Sequence, residues 1–472
     1  MNSSNKMAEK LTLRDPAGQL YKFDGRLIRI IQPDGLANLN FFLESDSLGP
    51  FRDDNQLIKT RQIKLADLPA ELDNSRGVAA VDHAVIPFGS YPHEWPPEML
   101  AAAGRLTLDL AEAVLNDDAE LKDAKPDNVL FNGPSPVFVD ALSFEPREKG
   151  NPIWRAEGQF IRMFLLPLLL YKGTGMPPGE LLLNRADGVE PEEAYEILSW
   201  GNRLAPANLG LVTLPKVFGQ FSQDGGVYKS RLLESDEKAK FILRATYRRL
   251  RRHLNRLSQP KTKNSEWSNY MQENTYSAEG LTSKESFVTS AISEFGPKTA
   301  LDIGCNTGHF SAILAKNGAD VVAVDLDPVV IGSVWRMAQE NDAKILPLVQ
   351  NLTQPSPGIG WKNNEKLSFL SRANKKFDIV VMLAVIHHMM VTGGIPLEEI
   401  LSLAASLSQK WLIIEFVAKE DPMFLKICRG RENLYEWFDQ PAFEVACLKN
   451  FEIIRKAAGE GSTRVLYLLK IK

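Results

Sequence analysis

The stretch ALDIGCNTGHFSAILAKNGADVVAVDLDP, residues 300–328, decides the fold of the C-terminal half. An apolar run ending at Ile303 predicts a buried strand, and a turn containing Gly304 and Gly308 separates it from a helix-forming run. A second apolar run, VVAV, ends at Asp325. This order of strand, glycine turn, helix and strand predicts a parallel α/β sheet whose ligands bind at the carboxyl ends of the strands.

The alternation of strands and helices continues to the C-terminus. The predicted strands share short apolar runs: 299–303, 321–324, 344–349, 377–383, 411–416, 451–455 and 464–469. The predicted helices have apolar residues at helical spacing: 310–317, 329–341 and 396–408. Because Gly459-Glu460-Gly461 joins the last two strands, we expect them to form a closing pair.

Two carboxylates predict what the glycine turn binds. Asp302 lies just before the turn, where it can meet an ammonium group, and Asp325 can accept both hydroxyls of a ribose. An NAD site is the competing prediction, but its G-x-G-x-x-G fingerprint fails because Asn306 and His309 occupy the required glycine positions. Asp302 would also repel a pyrophosphate. S-adenosylmethionine (SAM), which has a cationic amino acid end and no phosphate, is therefore favoured.

The motifs in this half resemble those of class I SAM-dependent methyltransferases. They are D-x-G-x-N-x-G from Asp302, V-V-A-V-D ending at Asp325, V-Q-N-L at 349–352 and FDIVVMLAVIHH at 377–388. The resemblance covers about residues 284–472 and implies a Rossmann-like, seven-stranded sheet that ends in an antiparallel hairpin.

The resemblance also implies which residues contact SAM. The implied contacts are Asp302, Gly304, Cys305, Asn306 and Gly308 in the turn, Asp325 and Leu326 after the second strand, Asn351 and Leu352 after the third, and Ala384 after the fourth. The turn residues would line the methionine part, Asp325 the ribose, and Asn351 and Leu352 the adenine. Asn351 replaces the usual acid, but its amide can still accept a bond from the adenine amino group.

Three residues at predicted strand ends are candidates for the methyl-transfer chemistry. His387 and His388 follow the fourth strand, and an unperturbed histidine can act as a general base near neutral pH. Glu415, at the end of the fifth strand, is a further candidate. The alternative is that these residues are structural, with one histidine packed, the other capping the strand end, and Glu415 bonded to backbone.

The N-terminal half is predicted to be a separate α+β domain. Residues 17–65 have the alternation and turn signals of short strands, while 98–116 and most of 155–250 have helical spacing. A basic run from Arg248 to Lys263 predicts a solvated helix face leading into a linker, or else an anionic docking surface. We expect domains at 1–258 and 284–472, joined by a linker at 259–283.

The segment LKDAKPDNVLFNGPSPVFVD, residues 121–140, resembles a degraded protein-kinase catalytic loop. Asp123, Lys125 and Asn128 stand at the spacing of D-x-K-x-x-N, and Asp140 follows where kinases place a magnesium-binding aspartate. The departures are Leu-Lys in place of His-Arg, Asp-Ala-Leu in place of Asp-Phe-Gly, and the lack of a glycine-rich loop and of a V-A-I-K lysine. The segment therefore predicts a degenerate kinase-like domain, such as a pseudokinase that binds a nucleotide or substrate; the alternative is a loop of turn-forming polar residues without kinase ancestry.

Taken whole, the chain resembles a bacterial group of two-domain methyltransferases, some of which are linked to rhizobial nodulation. The shared segments are SYPHEW, LKDAKPDNV, PVFVDALSFE, QFIRMFLLPLLL, LDIGCNTGHFS, LAVIHHM and IIEFVAKEDPM. The resemblance implies a SAM-dependent methyltransferase with an N-terminal domain for substrate recognition or regulation. Two alternatives stay open: a kinase-like phosphotransferase fused to a SAM domain, and a non-catalytic SAM-binding scaffold.

Composition limits the partners. The formal net charge of -4 calls for neither nucleic acid nor an anionic membrane. Three scattered cysteines argue against a disulfide framework and a structural zinc site, so we expect no bound metal. The same sparse cysteines predict a cytoplasmic location. The most apolar stretch, Phe164–Tyr171, is too short to span a bilayer and predicts a buried helix. The methyl acceptor is the one partner that the sequence requires, without identifying it.

Overall fold

The computed structural model describes residues 8–219, 232–259, 278–459 and 462–472. The chain divides into two compact units, Met1–Pro260 and Lys261–Lys472. Most of the predicted linker, and the 460–461 part of the predicted Gly459–Gly461 connection, lie outside the described residues.

An antiparallel sheet of five strands begins the first unit. Its strands are β1 (Glu9–Lys10), β2 (Gly18–Phe23), β3 (Arg26–Ile31), β4 (Thr60–Ile63) and β5 (Ala79–His83), in the order β1-β2-β3-β5-β4. The turn between β2 and β3 is Asp24-Gly25, and both residues have positive φ, at 49° and 76°. Such a turn matches the twist of a two-residue hairpin, as the Asp-Gly pair predicts.

A helix interrupts the segment predicted to contain only short strands. The helix α1 (Leu36–Glu44) and the shorter α2 (Gly49–Asp53) lie between β3 and β4. The expectation for residues 17–65 was therefore wrong in part. Leu39 and Phe42, three residues apart, are buried on one face of α1, which is helical spacing that the neighbouring strand signals obscured.

The rest of the first unit is mainly helical. Its α-helices are α3 (Pro97–Ala113), α4 (Glu157–Phe160), α5 (Leu166–Thr174), α6 (Pro178–Asn184), α7 (Pro191–Ile197), α8 (Trp200–Leu204), α9 (Pro206–Asn208), α10 (Leu214–Gly219) and α11 (Asp236–Leu257). Two antiparallel pairs lie among them: β6 (Ala119–Leu121) with β9 (Phe144–Pro146), and β7 (Val129–Asn132) with β8 (Ser135–Phe138). The predicted buried helix at Phe164–Tyr171 is confirmed, because residues 164–170 are buried and α5 starts beside Pro167.

The basic run is largely part of α11 and is bound within the first unit. Arg251 forms ion pairs with Asp109 at 2.7 Å and Glu112 at 2.8 Å, and Arg249 pairs with Glu157. These two arginines therefore link α11 to α3 and α4, while Arg248 and Arg252 of the same helix are exposed. The choice between a solvated helix face and an anionic docking surface stays a prediction; residues 260–263 of the run lie outside the described part.

The second unit contains a seven-stranded mixed sheet. Its strands are β10 (Thr299–Ile303), β11 (Asp320–Asp325), β12 (Ile345–Val349), β13 (Phe377–Met382), β14 (Ser408–Val417), β15 (Phe451–Ala458) and β16 (Arg464–Ile471). The order is β12-β11-β10-β13-β14-β16-β15. The first five pair in parallel, while β16 runs antiparallel to both β14 and β15. The predicted Rossmann-like sheet with an antiparallel closing pair is confirmed.

Helices pack against the sheet of the second unit. They are α12 (Ala278–Phe295), α13 (His309–Lys316), α14 (Pro328–Glu340), α15 (Phe369–Ala373), α16 (Ile386–Val391), α17 (Leu397–Leu407), α18 (Pro422–Cys428) and α19 (Gln440–Cys447). Buried residues of α12 and α14, among them Val288, Ile292 and Val334, share one core with Ile379 and Leu468 of the sheet. This core fixes where the strands end, and so where the loops of the site begin. None of the helices in the described residues combines the length and apolar character needed to cross a membrane.

Candidate active site

The glycine turn connects β10 to α13. Gly304 and Gly308 adopt φ of 71° and 83°, a left-handed conformation that is costly for residues with a Cβ. The amide of Gly304 donates to the carbonyl of Val324 at 2.8 Å and so ties the turn to β11. A Cβ on Gly304 would lie 2.2 Å from Cγ2 of Val385. The turn thus lies directly against the residue that precedes α16.

Asp302 is the buried acid of this site. Only 3% of the residue is exposed, and the Ser311 hydroxyl donates to its Oδ2 at 2.6 Å. Burial and, to a smaller extent, the nearby Asp325 raise the pKa of Asp302 to about 6, although the hydrogen bond from Ser311 opposes this change. A cationic partner would stabilise the ionised form of such a buried carboxyl group. Ser311 follows the glycine turn by one helical turn, and the sequence interpretation did not include it.

Asp325 ends β11 beside the same turn. Its carboxylate accepts hydrogen bonds from the amides of Asn306 and Asp327, both at 3.1 Å. Burial raises the pKa of Asp325 despite these bonds. Asn306 has a positive φ of 47°, and this conformation points its amide toward the carboxylate. The hydrogen bond from Asn306 to Asp325 therefore links a candidate methionine contact to the candidate ribose contact. Leu326, the next residue along the chain, is largely exposed.

The loop after β12 carries the candidate adenine contacts. The amide of Gln350 donates to the carbonyl of Asp325 at 2.8 Å, which holds this loop beside the end of β11. Asn351 is exposed, and its Oδ1 accepts from the amide of Thr353 at 3.0 Å and its hydroxyl at 2.7 Å. Leu352 is half-buried. A contact between adenine and the Asn351 side chain remains a prediction.

Two further predicted residues lie in the turn or shortly after β13. Ala384, two residues after the end of β13, has a positive φ of 51°, which is uncommon for alanine. Cys305 is buried, and burial raises its thiol pKa well above the usual value. The structure describes Cys305, Cys428 and Cys447 as free thiols.

The two candidate histidines start α16. His387 is completely buried, and neither of its ring nitrogens has a hydrogen-bond partner among the described residues. His388 is half-buried, and its ring centroid lies 4.3 Å from that of His387. Burial lowers the pKa of His388 to about 4, and burial together with the neighbouring positive groups also lowers the pKa of His387 well below its usual value. Both imidazoles are therefore neutral near pH 7 and able to accept a proton.

Glu415 lies at the carboxyl end of β14 and is completely buried. The Nζ of Lys284, from α12, lies 2.6 Å from its Oε1. Burial lowers the pKa of Lys284, while the charge of Glu415 opposes that change. Lys284 was not among the predicted site residues, because a lone lysine on a helix before the first strand carries no motif.

A second ion pair lies close to the first. The Nε of Arg464 at the start of β16 lies 2.8 Å from Oδ2 of Asp421, and the Thr463 hydroxyl donates to the same oxygen at 2.8 Å. Both Arg464 and Asp421 contribute to the electrostatic environment of Lys284 and His387. No local motif predicts this pair, although Asp421 lies within the segment IIEFVAKEDPM.

The chain is similar to known methyltransferases. Residues 242–449 match the family described as a methyltransferase domain. The chain contains a methyltransferase domain. Its methyl donor is SAM, and the protein is a SAM-dependent methyltransferase. The predictions of enzyme class, cofactor and family are confirmed.

Individual relatives cover different shares of the chain. The nodulation protein NoeA of Rhizobium meliloti (strain 1021) is 29% identical over 97% of this chain and 94% of its own length. The O-antigen chain terminator bifunctional methyltransferase/kinase WbdD of Escherichia coli is 30% identical over 31% of this chain, but over only 19% of its own length. Magnesium protoporphyrin IX methyltransferase of Synechocystis PCC 6803 is a similar solved structure, with 19% identity, 44% of this chain and 92% of that chain covered, and a TM-score of 0.30.

Proposed function

We propose that the Gly304–Gly308 turn holds SAM between Asp302 and Asp325. Asp302 would pair with the ammonium group of the methionine part, which its burial beside Ser311 favours. Asp325 would accept the ribose hydroxyls, and the loop at Asn351 would border the adenine. When bound, SAM supplies a methyl group on a positively charged sulfur. Cys305, Asn306, Leu326, Leu352 and Ala384 complete the proposed wall of this site.

We further propose that the acceptor atom is an oxygen and that His388 takes its proton. The contact between Val385 and Gly304 supports this proposal, because α16 then begins beside the turn that we propose to hold SAM. His388 is partly exposed and neutral, whereas His387 is sealed in the interior. We therefore assign proton acceptance to His388 and orientation of its ring to His387. Since its pKa is about 4, His388 is a weak base, and proton loss should accompany methyl transfer.

Glu415 has a different proposed role. Its ion pair with Lys284 uses its charge, so we assign it to positioning the acceptor pocket instead of removing a proton. The pair Arg464–Asp421 would support the same pocket from β16. In methyl transfer the positive charge on the SAM sulfur disperses in the transition state. Fixed protein dipoles around the reacting groups, with water excluded, favour this displacement.

The first unit is proposed to recognise the acceptor or to regulate the reaction. NoeA, to which the chain is similar over nearly its whole length, is named a nodulation protein, and WbdD is named for terminating O-antigen chains. The second name supports a glycan as one acceptor class beside small molecules and macromolecules. A nucleic acid acceptor has no support from the described basic residues, and a cytoplasmic location remains a prediction that rests on cysteine usage.

Methyl-labelled SAM and a cell extract test this function. We expect label to appear in one fraction of acceptor material together with S-adenosylhomocysteine, and the chemistry of that fraction identifies the acceptor class. The His388→Ala variant should label the same fraction more slowly. Tight SAM binding without label in any fraction would instead support the non-catalytic scaffold.

A further inference from the structure

The first unit contains an ion pair at the position where the kinase resemblance predicts a metal. Asp140 follows the β7–β8 hairpin, and Arg29 projects toward it from β3. The Nη1 of Arg29 lies 3.1 Å from Oδ1 of Asp140, and its Nη2 binds Asp15. Only 8% of Arg29 is exposed. The buried guanidinium therefore bridges two carboxylates that are themselves partly exposed.

Both oxygens of Asp140 are already bonded within the chain. Oδ1 accepts from Arg29 and from the amide of Leu142 at 3.2 Å, while Oδ2 accepts from the Ser143 hydroxyl at 2.6 Å. Burial raises the pKa of Asp140, but Arg29, Ser143 and Leu142 together hold it below its usual value. Asp140 is thus ionised and supplied with donors without any bound ion.

The neighbouring candidate metal ligand is engaged as well. Asn128 stands at the asparagine of D-x-K-x-x-N, a residue that binds a metal in kinases. Its Nδ2 donates to the Ser143 hydroxyl at 3.2 Å, so Ser143 links Asn128 to Asp140. The described residues also hold no group of three His, Cys, Asp or Glu side chains arranged for a metal. The residues present do not fit a magnesium ion at this position.

The basic residue on β3 has an altered partner. In kinases, a lysine on the third strand pairs with a glutamate of the following helix, and the metal binds the aspartate of Asp-Phe-Gly. Here α1 follows β3, and its single acid, Glu44, is exposed at the helix end. Arg29 reaches Asp140 and Asp15 instead. Arginine suits this task because its planar guanidinium can bond two carboxylates at once and stays charged.

We propose that Arg29 takes the place of a divalent cation at Asp140, so that the first unit is a metal-independent module and not a phosphotransferase. The proposal does not depend on which acceptor the second unit methylates. It accounts for the replacement of the Phe-Gly that follows this aspartate in kinases and of the His-Arg residues, since a site without a metal does not need them. The first unit would keep kinase-like sequence motifs but would not catalyse phosphoryl transfer.

Manganese(II) is the probe for this proposal, because it takes the same oxygen ligands as magnesium and is detected by electron paramagnetic resonance. The full-length protein would be titrated with Mn²⁺ alone and with Mn²⁺ plus a non-hydrolysable ATP analogue. The variants are Arg29→Gln, which frees Asp140, Arg29→Lys, which keeps the positive charge, and Asp140→Asn, which removes the carboxylate.

We expect the wild-type protein and Arg29→Lys to leave the free Mn²⁺ signal unchanged. Arg29→Gln should reduce that signal, and adding Asp140→Asn to it should restore the signal. Wild-type binding of Mn²⁺ that Asp140→Asn abolishes would overturn the proposal. So would a folded Arg29→Gln variant without added Mn²⁺ binding, or equal binding by Arg29→Lys and Arg29→Gln. If Arg29→Gln does not fold, the wild-type and Asp140→Asn titrations still decide.

Discussion

The Nζ of Lys284 lies 2.6 Å from Oε1 of Glu415, and the exposed fractions of the two side chains are only 9% and 0%. The pair joins α12, which precedes the sheet, to the carboxyl end of β14. Removing two charges from water is costly, and an apolar pair of similar volume is often at least as stabilising. The ion pair is therefore weak evidence for stability by itself, and the proposed positioning role of Glu415 offers a functional reason for it.

The loss of stability on breaking this ion pair should depend on whether one charge or both charges are removed. Lys284→Met leaves a buried carboxylate unpaired, and we expect the second unit to lose about 3–5 kcal/mol of unfolding free energy. The double variant Lys284→Met, Glu415→Leu should regain most of that loss. Urea denaturation of the second unit measures both changes. If the double variant is stable and also fully active, Glu415 has no positioning role.

The contact between Gly304 and Val385 gives a second prediction. Gly304→Ala adds a Cβ that would lie 2.2 Å from the Val385 side chain, at a φ of 71°. We expect weaker SAM binding and a loss of about 1–3 kcal/mol in stability from backbone strain alone. Val385→Ala should remove the collision but not the strain, so the double variant should recover in part. Calorimetric SAM titration and thermal unfolding check this; an unperturbed Gly304→Ala protein would contradict it.

The elements that can be predicted from the sequence are those whose ends are marked by a local residue pattern. β10 was predicted at its observed bounds because an apolar run and a glycine turn delimit it. In the first unit, α1 was missed because its buried Leu39 and Phe42 stand between strong strand signals. Lys284, Asp421 and Arg464 were missed for another reason. Their partners are far away in sequence, and only the closing of the sheet brings them together.

The pKa of Asp302 predicts how SAM affinity changes with pH. Burial raises this pKa to about 6 in the ligand-free protein, and an ammonium ligand favours the ionised form. As pH falls below about 6, the carboxyl group is protonated and must release its proton for SAM to bind. We expect the SAM dissociation constant to rise by up to about tenfold for each pH unit below 6. Calorimetry between pH 7 and pH 5 measures it; a flat profile would remove Asp302 from the ammonium contact.

His388 gives a kinetic prediction. His388→Ala should lower kcat by about 10²- to 10⁴-fold, the range for loss of a general base, with SAM affinity nearly unchanged. Because the pKa of His388 is about 4, the wild-type rate should show no decline from this group between pH 8 and pH 5. His253→Ala, in the first unit, serves as the control. Normal turnover by His388→Ala would exclude it as the base.

The measurement that tests the central claim most directly is a calorimetric titration of SAM into the wild-type protein and into Asp302→Asn at pH 7.5. The wild-type chain should bind one SAM. The variant keeps the shape of the side chain but loses its charge, so we expect affinity to fall by roughly 10- to 100-fold, as for a charged hydrogen bond of about 1.5–3 kcal/mol. Equal affinity of the two proteins would contradict the proposed placement of SAM on the Gly304–Gly308 turn.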